Sequence, residues 1–407
     1  MTSQTTMAGA FGGLLAKYRP VIDRIAAGAA QRELSRTLPV EQIQWLKESG
    51  FTAARVPAHL GGDGAGMPEL FGLLVELAAA DPNVAQALRG HFAFVEDRLY
   101  APDGAERDAW LRRFAAGEIV GNAVTEVGGV ALSGTATRLA PAPGGGWTIT
   151  GRKYYATGSL FAEWIDATAL DPDGTEVAVL VATGTDAVVV TDDWTGFGQR
   201  LTGSGSVVFD RAPVRAGHVQ PFTRRFPYQT AFYQLVLDAV LAGIARAAER
   251  DLATEVARRT RSYSHANTPL VRQDPQILEL AGRVSATAFA AEAAVEKAAR
   301  VLRTAADARG QDAETVTVAR REAELASAQA QLITADAAVD SASRIFDALG
   351  ASATGTAAAL DRHWRNARTV RSHNPVAFKA RIIGDALING SEPPYEWSVG
   401  TPQIPSS

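Results

Sequence analysis

Two polar residues in the sequence have the chemistry for proton exchange or hydrogen bonding at a reaction centre. His373 precedes Asn374-Pro375. A histidine titrates near working pH and can donate or accept a proton, although a lone histidine before Asn-Pro is usually a turn residue. Thr157 closes the segment GRKYYATG, where its hydroxyl could bond a ligand or simply a neighbouring carbonyl. Both interpretations stay open for each residue on these grounds.

Two further polar residues carry weaker signals. Asn122 stands just before the Thr125-Glu126 turn, where its amide could reach a ligand or cap the turn. His91 lies in ALRGHFAFVED, and Phe94 and Val95 share its helix face at i+3 and i+4. That spacing alone favours a core histidine.

A basic cluster offers a phosphate site. Arg258, Arg259 and Arg261 lie in ARRTRSYSHANTP, and a guanidinium fork matches phosphate geometry. Such clusters are more often solvated helix ends. Arg261 is the preferred candidate of the three.

Several other chemistries are excluded by composition and spacing. The absence of cysteine removes thiolate nucleophiles, disulfides and zinc–sulfur sites. The loop 61–66 (GGDGAG) follows no strand and lacks the spacing of a dinucleotide fingerprint, and no Gly-x-Ser-x-Gly elbow occurs. No metal site is predicted, because the histidines are scattered without acidic partners at ligand spacing. They are His59, His91, His218, His265, His363 and His373.

Composition predicts a soluble, cytoplasmic globular protein. The 407 residues are 46% hydrophobic, enough for two or three packed units. A net charge of −4 with dispersed basic residues predicts no nucleic-acid partner. The N-terminus lacks the pattern of a secretion signal, and no apolar run approaches the roughly 20 residues that span a bilayer.

The elements that must position these residues fall into three segments. Residues 1–116 have helical periodicity, with helices that stop at Gly50, Asp81-Pro82 and Pro102. Residues 117–224 contain short β-branched runs between turn residues and predict an antiparallel β domain. Residues 225–407 are helical again.

Two long alanine-rich segments dominate the last part of the chain. One ends at Gly310 and the other at Gly350. Alanine favours the helix and permits close packing, and such length exceeds what one bundle can cover. The sequence therefore predicts a homotetramer in which these helices meet neighbouring subunits.

Four motifs, in order along the chain, resemble those of the acyl-CoA dehydrogenase superfamily. Residues 55–62 (RVPAHLGG) resemble its Pro-x-x-x-Gly-Gly loop, and residues 121–126 (GNAVTE) lie where that family opens its β domain beside the flavin. Residues 151–158 resemble its Gly-x-Lys-x-Trp-Ile-Thr-Asn strand. Residues 360–369 (LDRHWRNART), followed by 372–375 (SHNP), are the most specific and are more similar to the monooxygenase branch than to the dehydrogenases.

The resemblance implies an α+β fold: an N-terminal helical domain, a middle antiparallel β domain and a C-terminal four-helix bundle. It implies a two-component monooxygenase that uses reduced FMN, with FAD as the alternative, and O₂. A C4a-hydroperoxyflavin would then oxygenate a small organic substrate at sulfur or nitrogen. The chain has no nicotinamide-binding motif, so a separate NAD(P)H-dependent flavin reductase is expected as a partner.

The resemblance also assigns roles to individual residues. Thr157 corresponds to the hydroxyl beside flavin N5, His373 to a histidine over the flavin edge, and His91 to one that lines the substrate cavity. Residues 126–135 would close over the site. The implied catalytic residues are His373, Thr157, His91 and Asn122. The implied cofactor-binding residues are Thr157, Asn122, Thr125, Tyr155, Arg261, His373 and Asn374.

The position of the dehydrogenase base separates the two branches. A dehydrogenase needs a carboxylate to remove the α-proton of a thioester. Asn374 stands near the usual place of that glutamate, and Tyr233 or Gln234 stands at the alternative place on the first long C-terminal helix. Asp238, one turn further, keeps an acyl-CoA dehydrogenase as an alternative. A non-catalytic flavin-binding protein is the third interpretation.

Overall fold

The computed structural model describes residues 2–127 and 136–395. Within these ranges the elements run in the order helices, strands, helices. The predicted fold class and its succession of helical, β and helical parts are confirmed, with one correction to the sheet described below.

Seven helices form the N-terminal part, and their boundaries follow the helix-stop and capping residues of the sequence. Helix α4 ends at Ala80, and the carboxylate of Asp81 caps α5 by accepting a hydrogen bond from Asn83 N at 3.0 Å, with Pro82 in the first turn. The helices are α1 (Thr2–Ala26), α2 (Ala29–Ser35), α3 (Val40–Ser49), α4 (Met67–Ala80), α5 (Pro82–Ala87), α6 (Arg89–Tyr100) and α7 (Ala105–Ala115).

The middle part is one sheet, and it is mixed rather than antiparallel. β1 runs parallel to β4, and β2 also meets β4 in parallel at one residue pair, whereas the other pairings are antiparallel. A parallel pair needs a long connection, and about 40 residues separate β1 from β4, so the hairpin pattern of the sequence concealed this pairing. The strands are β1 (Val120–Ala123), β2 (Arg138–Pro141), β3 (Trp147–Lys153), β4 (Trp164–Leu170), β5 (Glu176–Ala182), β6 (Val188–Thr191), β7 (Ser206–Val214) and β8 (Val219–Pro221).

Three long helices form the C-terminal bundle, and two short ones pack on it. The two predicted alanine-rich helices are confirmed, at 33 and 37 residues. Small residues allow the close approach: a Cβ on Gly243 would lie 2.7 Å from the backbone nitrogen of Ala79 in α4. The helices are α8 (Gln229–Arg258), α9 (Pro275–Asp307), α10 (Ala313–Leu349), α11 (Asp361–Arg371) and α12 (Lys379–Asn389).

Helix α8 is the central helix of this part. Among the described residues, it alone is long and apolar enough to cross a membrane, yet 89% of its apolar window is buried inside the protein. This burial indicates that α8 is a core helix of the protein. An ion pair of 2.5 Å between Arg225, just before α8, and Asp166 of β4 connects the bundle to the sheet.

Candidate functional site

The turn that follows β3 places Thr157 against the N-terminal helices. Gly158 has φ +78°, and a Cβ on it would lie 2.2 Å from the carbonyl oxygen of Ala87 at the end of α5. Only glycine permits both the backbone conformation and this approach. The turn therefore holds the buried Thr157 at the junction of the sheet and the helices.

Two hydroxyl groups that the sequence analysis missed continue from Thr157. Its Oγ1 lies 2.7 Å from Ser204 Oγ, which lies 2.6 Å from Thr202 Oγ1. Thr202 Oγ1 also donates to Gln199 O at 3.1 Å, so the single proton of each hydroxyl points along the chain away from Thr157, whose Oγ1 is left as an acceptor. The loop between β6 and β7 supplies both residues and has no motif that marks it.

Asn122 connects Thr157 to helix α6. Its backbone nitrogen donates to Thr157 O at 3.2 Å, and its side chain lies against Gly90, where a Cβ would be 3.0 Å from Asn122 Oδ1. In the described part of the chain the Asn122 amide has no hydrogen-bond partner, and its Oδ1 is buried. A buried amide oxygen without a partner is a position where a ligand donor would restore the lost hydrogen bond.

Thr125 and Tyr155 lie at the outer edge of the same junction. Thr125 is exposed, and its carbonyl accepts from Tyr154 N at 2.8 Å. Tyr155, with φ +57°, is 49% exposed and packs edge-on against Trp194. The structure thus places both within a few residues of Thr157 but gives neither side chain a role of its own.

The predicted closing segment 126–135 falls largely outside the described residues, which resume at 136. Its first residue is held firmly: Glu126 accepts from buried Lys153 at 2.7 Å, from Ala136 N at 2.7 Å and from Thr137. Burial alone would raise the pKa of Glu126, but these hydrogen bonds outweigh it and lower the pKa below its ordinary value. The carboxylate therefore brings the residues that flank the segment together.

His373 and Asn374 lie after α11 and begin a chain of amides into the bundle. Asn374 Nδ2 donates to Gln234 Oε1 at 2.6 Å, and Gln234 Nε2 donates to Asp238 Oδ1 at 2.8 Å. Asn374 Oδ1 is then an acceptor, so the 3.2 Å contact from His373 Nδ1 assigns the proton to Nδ1. In the neutral ring Nε2 is left as the acceptor.

Arg89 was not identified from the sequence, although it lies beside several of these residues. It is the first residue of α6, next to Gly90, and its Nε donates to Tyr233 O at 3.1 Å. Its guanidinium carbon lies 4.5 Å from the centroid of the Tyr233 ring. Burial by the surrounding protein lowers the pKa of His373 to about 4, and the positive charge of Arg89 is the second cause. His373 is exposed to solvent, which weakens this shift but does not reverse it, so the ring is neutral at working pH.

These contacts define the candidate site. Thr157, Asn122, Arg89, Tyr233 and His373 form a continuous series where the sheet, α6, the start of α8 and the end of α11 meet. The site therefore brings together residues as distant in the sequence as Arg89 and His373.

His91 does not open onto this site. It is fully buried, its Nε2 lies 2.8 Å from Thr52 O, and its ring packs edge-on against Phe114. Burial lowers the pKa of His91 to about 4, so it is neutral. The i+3 and i+4 spacing of Phe94 and Val95 favoured a core histidine, in agreement with this burial, and the role of His91 at the substrate cavity stays a prediction.

Arg261 also lies away from the site within one chain. It is exposed in the loop after α8, whereas Gln234 lies near the start of that helix. At 1.5 Å per residue, α8 separates the two ends by roughly 36 Å. Arg261 can serve this site only from another subunit, and its role as phosphate ligand stays a prediction.

Asp238 is enclosed in the bundle and cannot act as a base on a bound substrate. Its Oδ1 accepts from Gln234 and from Thr334 Oγ1 at 3.3 Å, and its Oδ2 is buried without a partner. Burial, opposed by these hydrogen bonds and by Lys379, raises the pKa of Asp238 to about 8. The carboxyl group is thus largely protonated at neutral pH.

Replacing Asp238 with asparagine should raise the stability relative to wild type by a larger amount at high pH than at low pH. A carboxyl group whose pKa is raised by folding stabilises the folded state fully at pH values below its unfolded pKa, near 3.9. This stabilisation is lost as the pH rises towards the folded pKa of about 8. Asparagine has no such titration. We expect the difference in Tm, variant minus wild type, to grow by roughly 2–4 °C between pH 5 and pH 8 in thermal scans. A constant difference would show that Asp238 is ionised throughout.

Comparison with known proteins supports the fold. Residues 19–118 match the profile of the acyl-CoA dehydrogenase N-terminal domain, and residues 235–378 match that of the C-terminal domain. The chain is 30% identical to dibenzothiophene monooxygenase of Mycolicibacterium goodii, over 92% of this chain and 91% of that protein. It is 26% identical to the probable FMNH₂-dependent monooxygenase SfnC of Pseudomonas putida, over 93% and 95%.

Two solved structures are similar over almost their whole length. TdsC of Paenibacillus sp. A11-2, in complex with FMN and indole, has a TM-score of 0.84 and 25% identity, covering 93% of this chain and 98% of that one. The methanesulfinate monooxygenase MsuC of Pseudomonas fluorescens has a TM-score of 0.83 and 26% identity, covering 94% and 98%.

The chain belongs to the acyl-CoA dehydrogenase family, in its flavin-dependent monooxygenase branch. The predicted activity, a reduced-flavin-dependent monooxygenase, and the predicted cofactor, FMN, are confirmed by these comparisons. Neither Asp238 nor position 374 supplies the general base of a dehydrogenase, because Asp238 is enclosed in the bundle and position 374 holds an amide.

Proposed function

We propose that this chain is the oxygenase component of a two-component system that transfers one oxygen atom to the sulfur of a small organic compound. A separate NAD(P)H-dependent reductase supplies the reduced FMN. The observation that carries the proposal is the junction itself: Thr157, Asn122 and His373 converge there, whereas the described residues around it place no carboxylate where a dehydrogenase needs its base. Sulfur follows from the names of the relatives, which include a methanesulfinate and several dibenzothiophene monooxygenases.

The residues present fit an isoalloxazine ring. Thr157 Oγ1 is left as an acceptor by the hydroxyl chain, and Asn122 Oδ1 has no partner among the described residues, so both could accept from N–H groups of the reduced ring. Bound reduced FMN supplies two electrons and activates O₂. One atom of O₂ forms a new bond to sulfur, and the other leaves as water with two protons.

The protein contributes positioning and proton control. Thr157 and Asn122 orient the flavin edge, and His373, neutral with Nε2 as acceptor, holds a hydrogen bond from an O–H group at that edge. Glu126, which accepts a hydrogen bond from Lys153, fixes the start of the segment that the sequence analysis expects to close over the site. We place the enzyme in the cytoplasm and keep 1–116, 117–224 and 225–407 as its proposed domains.

The test is single-turnover oxidation of reduced FMN. Photoreduced FMN is mixed with the protein, O₂ and either a thioether or a sulfinate, and product and hydrogen peroxide are both measured. Oxygenated product from at least one sulfur compound supports the proposal. Complete conversion of reduced flavin to hydrogen peroxide with every sulfur compound contradicts it and favours a non-catalytic flavin-binding role. Anaerobic bleaching of oxidised flavin by an acyl-CoA would restore the dehydrogenase.

The enzyme should be a homotetramer. Apolar side chains stand exposed on the two longest helices, notably Phe289 of α9, which is 76% exposed, and Val318 and Ile333 of α10. Large apolar side chains exposed along two packed helices favour contact with another subunit. Light scattering should give four times the 42.9 kDa chain mass. Phe289→Lys should lower that mass, whereas Val189→Lys, which changes an exposed strand residue, should not.

A further inference from the structure

Arg89 is a buried cation whose charge the described part of the protein does not neutralise. Three arginines in the described ranges are about nine-tenths or more buried. Arg32 pairs with Asp81 at 2.9 Å and Arg225 pairs with Asp166 at 2.5 Å. Arg89 has neither a carboxylate partner nor any hydrogen bond in those ranges other than the one to Tyr233 O.

An isolated buried charge is costly, so its presence needs an explanation. Burial lowers the pKa of Arg89 only to about 10, and the guanidinium is therefore charged at neutral pH. Buried charges in proteins are normally paired, because desolvation without a counter-ion costs several kcal/mol. The aromatic face of Tyr233 offsets part of this cost, since the cation lies over the electron-rich face of the ring.

The place of Arg89 points to a ligand as the missing counter-ion. The two terminal guanidinium nitrogens have no partner among the described residues and are not sealed from solvent, so they can still bind. Asn122 lies against the neighbouring Gly90, and His373 is near because its neighbour Asn374 bonds Gln234, the residue after Tyr233. The guanidinium fork suits an anion with two oxygens.

We propose that Arg89 binds the anionic group of the substrate, and that this group is a sulfinate. The inference rests on the proposed function and narrows its substrate class. In a sulfinate the reacting sulfur is one bond from the charged oxygens, so an arginine beside His373 would place the sulfur at the reaction centre. Transfer of one oxygen atom to R–SO₂⁻ gives R–SO₃⁻ with no change of charge, and Arg89 stays paired throughout.

The test measures binding without turnover. Protein loaded with oxidised FMN is titrated calorimetrically with methanesulfinate and with dimethyl sulfoxide, a neutral compound of similar size. Wild type should bind the anion at least tenfold more tightly. Arg89→Met should abolish that preference, Arg89→Lys should retain part of it, and the FMN affinity should change less than threefold. Arg250→Met removes the same charge far along α8 and should leave the preference intact.

A second readout reports on the geometry. In an NMR pH titration, either methanesulfinate or Arg89→Met should raise the pKa of His373 towards its ordinary value, because each removes the effect of the arginine charge. Equal wild-type affinity for the two compounds would overturn the inference. So would an Arg89→Met variant that loses FMN tenfold but keeps its preference for the anion, since Arg89 would then serve the flavin.

Failure of this inference is distinguishable from failure of the proposed function. If the protein prefers methanesulfinate through Arg89 but oxygenates no sulfur compound, the anion site is supported and the proposed function is wrong. If the protein oxygenates neutral thioethers but shows no preference for the anion, the proposed function is supported and the role of Arg89 is wrong.

Discussion

Replacing Thr157 with valine should lower the yield of oxygenated product by roughly 10- to 100-fold while the fold stays intact. Valine keeps the shape of threonine but removes the hydroxyl that lies 2.7 Å from Ser204 Oγ at the sheet–helix junction. Loss of one positioned hydrogen-bonding group in an active site typically costs about 2–4 kcal/mol of transition-state stabilisation. Loss of one hydrogen bond costs only about 0.5–1.5 kcal/mol of folding free energy, so Tm should fall by a few degrees at most.

Thr202→Val is the matched control, because it removes the hydroxyl at the other end of the same chain. Thr202 bonds Ser204 at 2.6 Å and Gln199 O at 3.1 Å, one step further from the flavin edge. Product per reduced flavin should be measured for both variants, with thermal scans alongside. A Thr202 variant as impaired as the Thr157 variant would mean that the hydroxyl chain acts as a structural unit. Wild-type yield in Thr157→Val would remove Thr157 from the flavin site.

The fold was predictable because each part of the chain has one dominant periodicity. Alanine-rich segments ending at Gly310 and Gly350 can hardly be other than helices, and both are confirmed. The parallel pairing of β1 with β4 was missed, because periodicity shows that a strand exists but not which strand pairs with it.

The site was only partly predictable, for a related reason. Thr157, Asn122 and His373 could be proposed because each belongs to a local motif, and the structure places them in one region. Ser204 and Arg89 belong to no motif. What marks Arg89 is the lack of a partner in the folded protein, and a sequence does not show which charges remain unpaired.

Two residues that the resemblance assigned to the site lie apart from its contacts within one chain. His91 is adjacent to Gly90, yet a shift of one position on a helix turns the side chain by about 100°, into the core against Phe114. Arg261 lies close to the end of α8 in sequence, but the length of the helix carries it far from His373. Such directions follow from the tertiary structure.

Replacing His373 with alanine should change the fate of oxygen more than the binding of FMN. The Nδ1 proton is engaged by Asn374 Oδ1, and Nε2 is free to accept a hydrogen bond from an O–H group at the flavin edge. This differs from the sequence-based picture of a histidine that titrates near neutral pH, because the surrounding protein and Arg89 lower its pKa. Loss of the acceptor leaves that O–H group free to exchange its proton with water.

We therefore expect product per reduced flavin to fall at least tenfold, with hydrogen peroxide released in its place. FMN affinity should stay within about threefold of wild type, since His373 is exposed and contributes little packing. Wild-type coupling should be constant above neutral pH and should decline only as pH falls towards the lowered pKa of His373, where Nε2 becomes protonated. An unperturbed histidine would instead give a decline centred near pH 6.5.

Two variants separate a role in coupling from a role in the turn. His373→Gln offers an amide that can donate to Asn374 and accept at its other end, and it should recover part of the yield. His265→Ala removes an exposed histidine from the loop after α8 and should couple as wild type does. Product and peroxide measured together for each protein decide the question. If His373→Ala couples normally and loses only a little stability, the residue is a turn histidine, and proton control at the site must belong to Asn122 or Tyr233.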